Sequence, residues 1–98
     1  MLTNFRTYQL SLAVYEGCVP VKAPEYLRDQ LVRAALSAVL NTAEGSAKPT
    51  PKERRRFFSM AYASCRETQA LIQILKLKHL EPIADQLGAC LYRLVHPK

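Results

Sequence analysis

The chemistry-bearing residues cluster in one place. From Asn41 to Phe58 the chain reads NTAEGSAKPTPKERRRFF, a run holding an amide, carboxylates, a glycine, two prolines and five basic side chains. Lys48, Lys52, Arg54, Arg55 and Arg56, opposed nearby only by Glu53, form a set suited to phosphate. Such cations bind a nucleic-acid backbone without reading its sequence. Enzymatic chemistry finds no matching constellation. Glu44 and Glu67 are the glutamates placed to point inward from helices, but a di-iron bundle needs Glu-x-x-His motifs on paired helices. The two histidines, His79 and His96, fall at or beyond helix ends. Cys65 and Cys90 sit on apolar stripes with no histidine at helical spacing to act as base, so they read as inert buried thiols. Gly45 stands alone rather than in a phosphate loop, and the cysteines and histidines do not reach zinc spacing. The chain is therefore expected to be no enzyme and to carry no cofactor and no metal.

Size and composition set the frame for these residues. The 98 residues, 49% of them apolar, suffice for one domain, residues 1–98, with a core but much surface, so partners are expected to help stabilise it. The formal charge of +6 favours anionic partners. Cys18, Cys65 and Cys90 form no CxxC pair, cannot all pair within one chain and follow no signal segment, which points to reduced thiols and a cytoplasmic location. No apolar run approaches the roughly 20 residues that span a bilayer, so no membrane is expected.

Four helices must position the basic run. Phe5, Tyr8, Leu12 and Tyr15 recur at helical spacing, and Gly17 reads as a stop, giving a first helix from Thr3 to Glu16. Pro24 and Glu25 suit the start of a second, which runs to about Glu44 with Gly45 as its C-terminal cap. Thr50-Pro51-Lys52-Glu53 has the form of a capping box and opens a third helix reaching about Lys78. Pro82 opens a shorter fourth with an Ile83, Leu87, Leu91, Leu94 stripe. Short loops imply antiparallel neighbours, hence an all-α, antiparallel up-down four-helix bundle. The segment from Gly45 to Thr50 is its central turn.

The second helix carries more apolar surface than one neighbour can cover. At about 100° per residue, Gln30, Arg33, Ser37, Asn41 and Glu44 share a narrow polar stripe, and apolar residues fill an arc of about 240°, against a minimum near 100° for a surface helix. The fourth helix is short, so a second subunit is expected on this face, touching Val32, Leu36, Val39 or Leu40. The third helix offers Phe57, Ala61, Cys65, Thr68, Ile72 and Leu75 to the core, with Ser64 and Glu67 at the margin. Burying an unpaired charge is costly. A hairpin folded about Ala47 brings Gln30 and Arg33 level with Ser64 and Glu67. The expectation is a structural polar network in which Gln30, Arg33, Ser37 and Ser64 surround Glu67, while Asn41 and Glu44 tie the end of the second helix to the turn.

The ordered set Gln30, Arg33-Ala34-Ala35, Ser37, NTAEG from Asn41 to Gly45, a turn, Phe57-Phe58, Ala61, Ser64 and Glu67 resembles one four-helix-bundle family. That family includes proteins encoded in intervening sequences of bacterial 23S ribosomal RNA genes and the accessory variability determinant of diversity-generating retroelements. The likeness extends from about Tyr8 to Leu77. It implies an antiparallel bundle assembled as a homopentamer with a basic surface, which in the retroelement member serves nucleic acid and a reverse transcriptase.

Residues and resemblance together favour an oligomeric, non-enzymatic, nucleic-acid-binding accessory protein, its partners being copies of itself, RNA or DNA, and a reverse transcriptase or other protein. The alternative is an oligomeric scaffold presenting the same cations to an acidic protein. A solvated face is the plainest account of any charge run, but cations at a helix start oppose its macrodipole by some tenths of a kcal/mol each. No recognition helix or aromatic stacking platform is evident in the sequence, so little sequence preference is expected.

Overall fold

The computed structural model describes residues 5–97. Helices α1 (Arg6–Cys18), α2 (Glu25–Ala47), α3 (Pro51–Ile74) and α4 (Glu81–Val95) follow one another, with a 3-10 turn, Lys78–Leu80, leading into α4. Each helix packs on its sequence neighbours and α1 closes the ring against α4, so the up-down four-helix bundle is the observed architecture. The bundle measures 41 × 21 × 20 Å.

Local sequence explains where the longest helices begin and end. Thr50 is extended and its hydroxyl accepts the Glu53 N–H at 3.2 Å, satisfying one of the orphan donors of α3 while Pro51 fills the first helical position. At the other end the Leu77 N–H reaches the Ile72 carbonyl and the Lys76 N–H reaches the Gln73 carbonyl, with Lys76 at φ 58°. This Schellman closure ends α3 at Ile74, earlier than the expected Lys78.

Two glycines expected to stop helices lie inside them instead. α1 runs past Gly17 to Cys18 and α2 runs past Gly45 to Ala47, and neither glycine has positive φ. Their role is close approach. A Cβ on Gly45 would lie 2.7 Å from the Phe58 ring, and one on Gly17 would lie 2.7 Å from Leu80. The expected first residue of α1, Thr3, lies outside the described residues.

The core gathers Val14, Cys18, Leu31, Ala35, Ala61, Cys65, Ile72, Leu87 and Leu91 from all four helices. Alanines at 34, 35 and 38 let α2 sit close to its neighbours, and Thr42 and Thr68 are buried with their hydroxyls donated one turn back to Ala38 and Ser64 carbonyls. Phe58 is the buried phenylalanine of its pair, tilted against Phe5 at 6.2 Å; Phe57, expected in the core, is only half-buried. The capped start of α3 fixes this phase, since adjacent helical residues differ by 100° in direction.

Candidate functional site

The basic run occupies the end of the α2–α3 hairpin, and the structure divides it into two groups. Lys48 and Arg54 are half-buried and hold the turn. Arg54 Nη1 donates to the Lys48 carbonyl at 3.0 Å, while Lys48 Nζ lies 3.2 Å from a Glu44 carboxylate oxygen and 4.9 Å from the centre of the Phe57 ring. Lys52, Arg55 and Arg56 are exposed. Arg56 lies 5.7 Å from the Phe57 centroid, and Lys52 and Arg55 have no side-chain hydrogen bond or ion pair. Among the described residues, Lys48–Glu44 is the sole ion pair. The surface therefore leaves exposed cations without ion-pair partners at the start of α3.

The polar stripe separates in a similar way. Ser37 and Ser64 hydroxyls meet at 2.8 Å across α2 and α3, and Asn41 Nδ2 donates to the Ser37 carbonyl at 3.0 Å and its hydroxyl at 3.2 Å. Glu67, expected at the centre of the network, is exposed, as are Gln30 and Arg33, and none of the three side chains makes a hydrogen bond or ion pair. The helical phase is the reason: Thr68 turns inward to bond the Ser64 carbonyl, which rotates Glu67 outward by about 100°. Glu44 pairs with Lys48 and so ties the end of α2 to the turn, whereas Asn41, expected to do the same, bonds back to Ser37 within α2.

The expected subunit contacts also divide. Val39 is 6% exposed, sealed inside its own chain and unavailable to a partner, and Val32 is half-buried. Leu36 and Leu40 are exposed, as is Met60 on α3. The Ser37–Ser64 contact sets the antiparallel register that brings Leu40 and Met60 to neighbouring levels of the hairpin.

Burial pushes the Cys18 thiol up to about 11 from 9.0. It pushes Cys65 to about 12, with Arg66 lowering and Asp85 raising the value to a lesser degree. Burial thus favours the protonated form of both thiols at neutral pH. No group of three or more candidate metal-ligating side chains occurs among the described residues, and no helix there is long and apolar enough to cross a membrane.

A second surface was invisible in the sequence. Tyr62 of α3 and Tyr92 of α4 meet edge to face with centroids 6.0 Å apart, and His96 lies 4.5 Å beyond Tyr92. Thirty residues separate the two tyrosines, so only the α3–α4 register reveals the pair. They wall a groove whose floor is a chain of hydrogen bonds: Arg66 Nη1 to Gln69 Oε1 at 3.1 Å, then Gln69 Nε2 to Asp85 Oδ1 at 3.0 Å.

These features define an all-α four-helix bundle with an exposed cationic hairpin end. The chain belongs to the 23S rRNA-intervening sequence protein family, whose model matches residues 5–90. No curated protein and no solved structure matches the chain.

Proposed function

We propose that the chain is a non-enzymatic accessory protein that assembles with copies of itself, as a pentamer, and binds RNA or DNA through the start of α3. The observation that carries this reading is the exposed set Lys52, Arg55 and Arg56, cations without carboxylate partners on a chain of net charge +6. Arg54 and Lys48 build the platform beneath them. Contact with phosphates through such a set is independent of base sequence and falls steeply with salt.

Assembly is supported by Leu36, Leu40 and Met60, which are 38%, 55% and 38% exposed on an otherwise well-packed bundle. Covering them with a second subunit removes apolar surface from water at about 25 cal/mol per Å². Assembly also multiplies the cationic patch, and several patches on one strand raise avidity by about 10² or more.

Two measurements test the reading. Fluorescence anisotropy with labelled RNA and DNA is expected to show binding at low salt with little dependence on sequence; binding to neither refutes it and favours an acidic protein partner. Light scattering is expected to report a pentamer that Leu40→Glu disperses. A monomeric wild-type chain at micromolar concentration refutes the assembly.

A further inference from the structure

We infer that the α3–α4 groove takes an unpaired base of a single-stranded nucleic acid, stacked on Tyr92, whose backbone continues onto Arg55. This inference rests on the nucleic-acid reading above and adds what the basic run lacks, a surface that distinguishes single strands from duplexes.

The groove has the parts this ligand needs. Tyr92 is 52% exposed although it is aromatic, and it is held by ring contacts with Tyr62 and His96. The recess beside it, about 390 Å³, is bordered by Arg66, Gln69, Asp85 and Arg93 as well as the two tyrosines. That volume falls within the usual range of about 300–1,000 Å³ for ligand clefts. Gly88 lines the recess too, and a Cβ there would come 3.2 Å from Gln69 Nε2, so the glycine allows the Gln69 amide to lie against α4. The Arg66–Gln69–Asp85 chain leaves Arg66 with spare donors and Asp85 with a second carboxylate oxygen. Arg66 and Arg93 suit phosphate, and the Asp85 oxygen suits an amino group on a base edge.

Helical geometry joins this groove to the basic run. Arg55, Tyr62 and Arg66 are spaced by seven and four residues, which sets them within about 20° of one line along α3. At 1.5 Å per residue, Tyr62 lies about 10 Å and Arg66 about 16 Å along the axis from Arg55. A strand tracking this line meets Arg55, then the Tyr62–Tyr92 pair, then Arg66, the combination of cations and aromatic rings by which single strands are held without sequence readout. Duplex bases, already stacked on their neighbours, cannot use the ring.

The test compares a single-stranded 12-mer, as RNA and as DNA, with the corresponding duplexes, using wild type, Tyr92→Ala and Tyr92→Phe. Tyr92→Ala is expected to weaken single-strand binding by about tenfold while duplex binding stays within about twofold, and Tyr92→Phe is expected to retain single-strand affinity. The chain contains no tryptophan and five tyrosines, so the difference in tyrosine fluorescence quenching between wild type and Tyr92→Ala isolates the Tyr92 contribution; single strands should quench wild type more than Tyr92→Ala. The RNA and DNA arms identify which strand the groove holds more tightly. Equal losses for single strands and duplexes, or no loss in a Tyr92→Ala protein with unchanged circular dichroism, overturn the inference and leave the phosphate reading intact. Failure of wild type to bind any of the four probes at low salt overturns both.

Discussion

Replacing Arg54 and Arg55 by glutamine, one at a time, should separate two adjacent arginines that look equivalent in the sequence. Arg54 donates to the Lys48 carbonyl at 3.0 Å from a half-buried position. A hydrogen bond from a charged donor contributes about 1.5–3 kcal/mol, and partial exposure brings the lower end into play. Removing a cation near the start of α3 returns some 0.3–1 kcal/mol through the macrodipole. The net expected loss for Arg54→Gln is about 1 kcal/mol. Arg55 has no side-chain partner, so Arg55→Gln keeps only the macrodipole gain and should leave stability unchanged or raise it by up to about 0.5 kcal/mol. Binding should follow the opposite order, with Arg55→Gln weakening RNA and DNA affinity more than Arg54→Gln. Urea unfolding and fluorescence anisotropy on the same preparations measure both quantities. Equal stabilities together with equal losses of affinity would refute the division of the basic run into turn-holding and ligand-facing groups.

Gly45→Ala gains about 1 kcal/mol of helix propensity, but its Cβ meets the Phe58 ring at 2.7 Å and the Arg54 carbonyl oxygen at 3.2 Å. Overpacking of about 1–3 kcal/mol should make it destabilising in urea unfolding, and Phe58→Leu in the same chain should reduce that penalty. Lys76→Gly relieves the left-handed backbone at φ 58° and should raise the unfolding midpoint by the equivalent of about 0.5–1 kcal/mol. Alkaline pH should destabilise the bundle through its thiols, because the unfolded chain releases their protons near 9.0 while burial keeps the folded thiols protonated to about 11 for Cys18 and about 12 for Cys65. Unfolding is therefore favoured as pH rises, by about 1.5 kcal/mol between roughly pH 8 and 9.5 for the two together, and denaturation of Cys18→Ala or Cys65→Ala should show a shallower dependence.

Proline and threonine punctuation made the bundle legible from sequence. Thr50-Pro51 set the start of α3, and the apolar periodicity of α2 and α3 marked their buried sides, because capping and helical spacing are local properties. The glycines misled for the reverse reason. Gly17 and Gly45 answer to Leu80 and Phe58, partners that lie far along the chain, so their helices continue where a local rule ends them. Register was the other limit: a wheel placed Glu67 beside Ser64, but the meeting of Ser37 with Ser64 and the inward turn of Thr68 leave Glu67 outside. The cations of the basic run were plain in the sequence, whereas the attachment of Arg54 to Lys48 required the geometry of the turn. The Tyr62–Tyr92 pair, built from two helices, had no local signature at all.

Salt-dependent binding of a single-stranded RNA by wild type and by the Lys52→Gln/Arg55→Gln/Arg56→Gln variant decides whether the exposed cations of α3 contact phosphate. Each phosphate contact on a single strand contributes about −0.7 to the slope of log affinity against log salt. Three contacts give about −2 for every subunit engaged, a loss of roughly twentyfold between about 50 and 200 mM salt. The expected result is a wild-type slope of at least that size and a nearly flat, much weaker response from the triple variant with its assembly unchanged. Wild-type binding that does not vary with salt, or a triple variant with the wild-type slope and affinity, would contradict the assignment of phosphate contact to the exposed cations of α3.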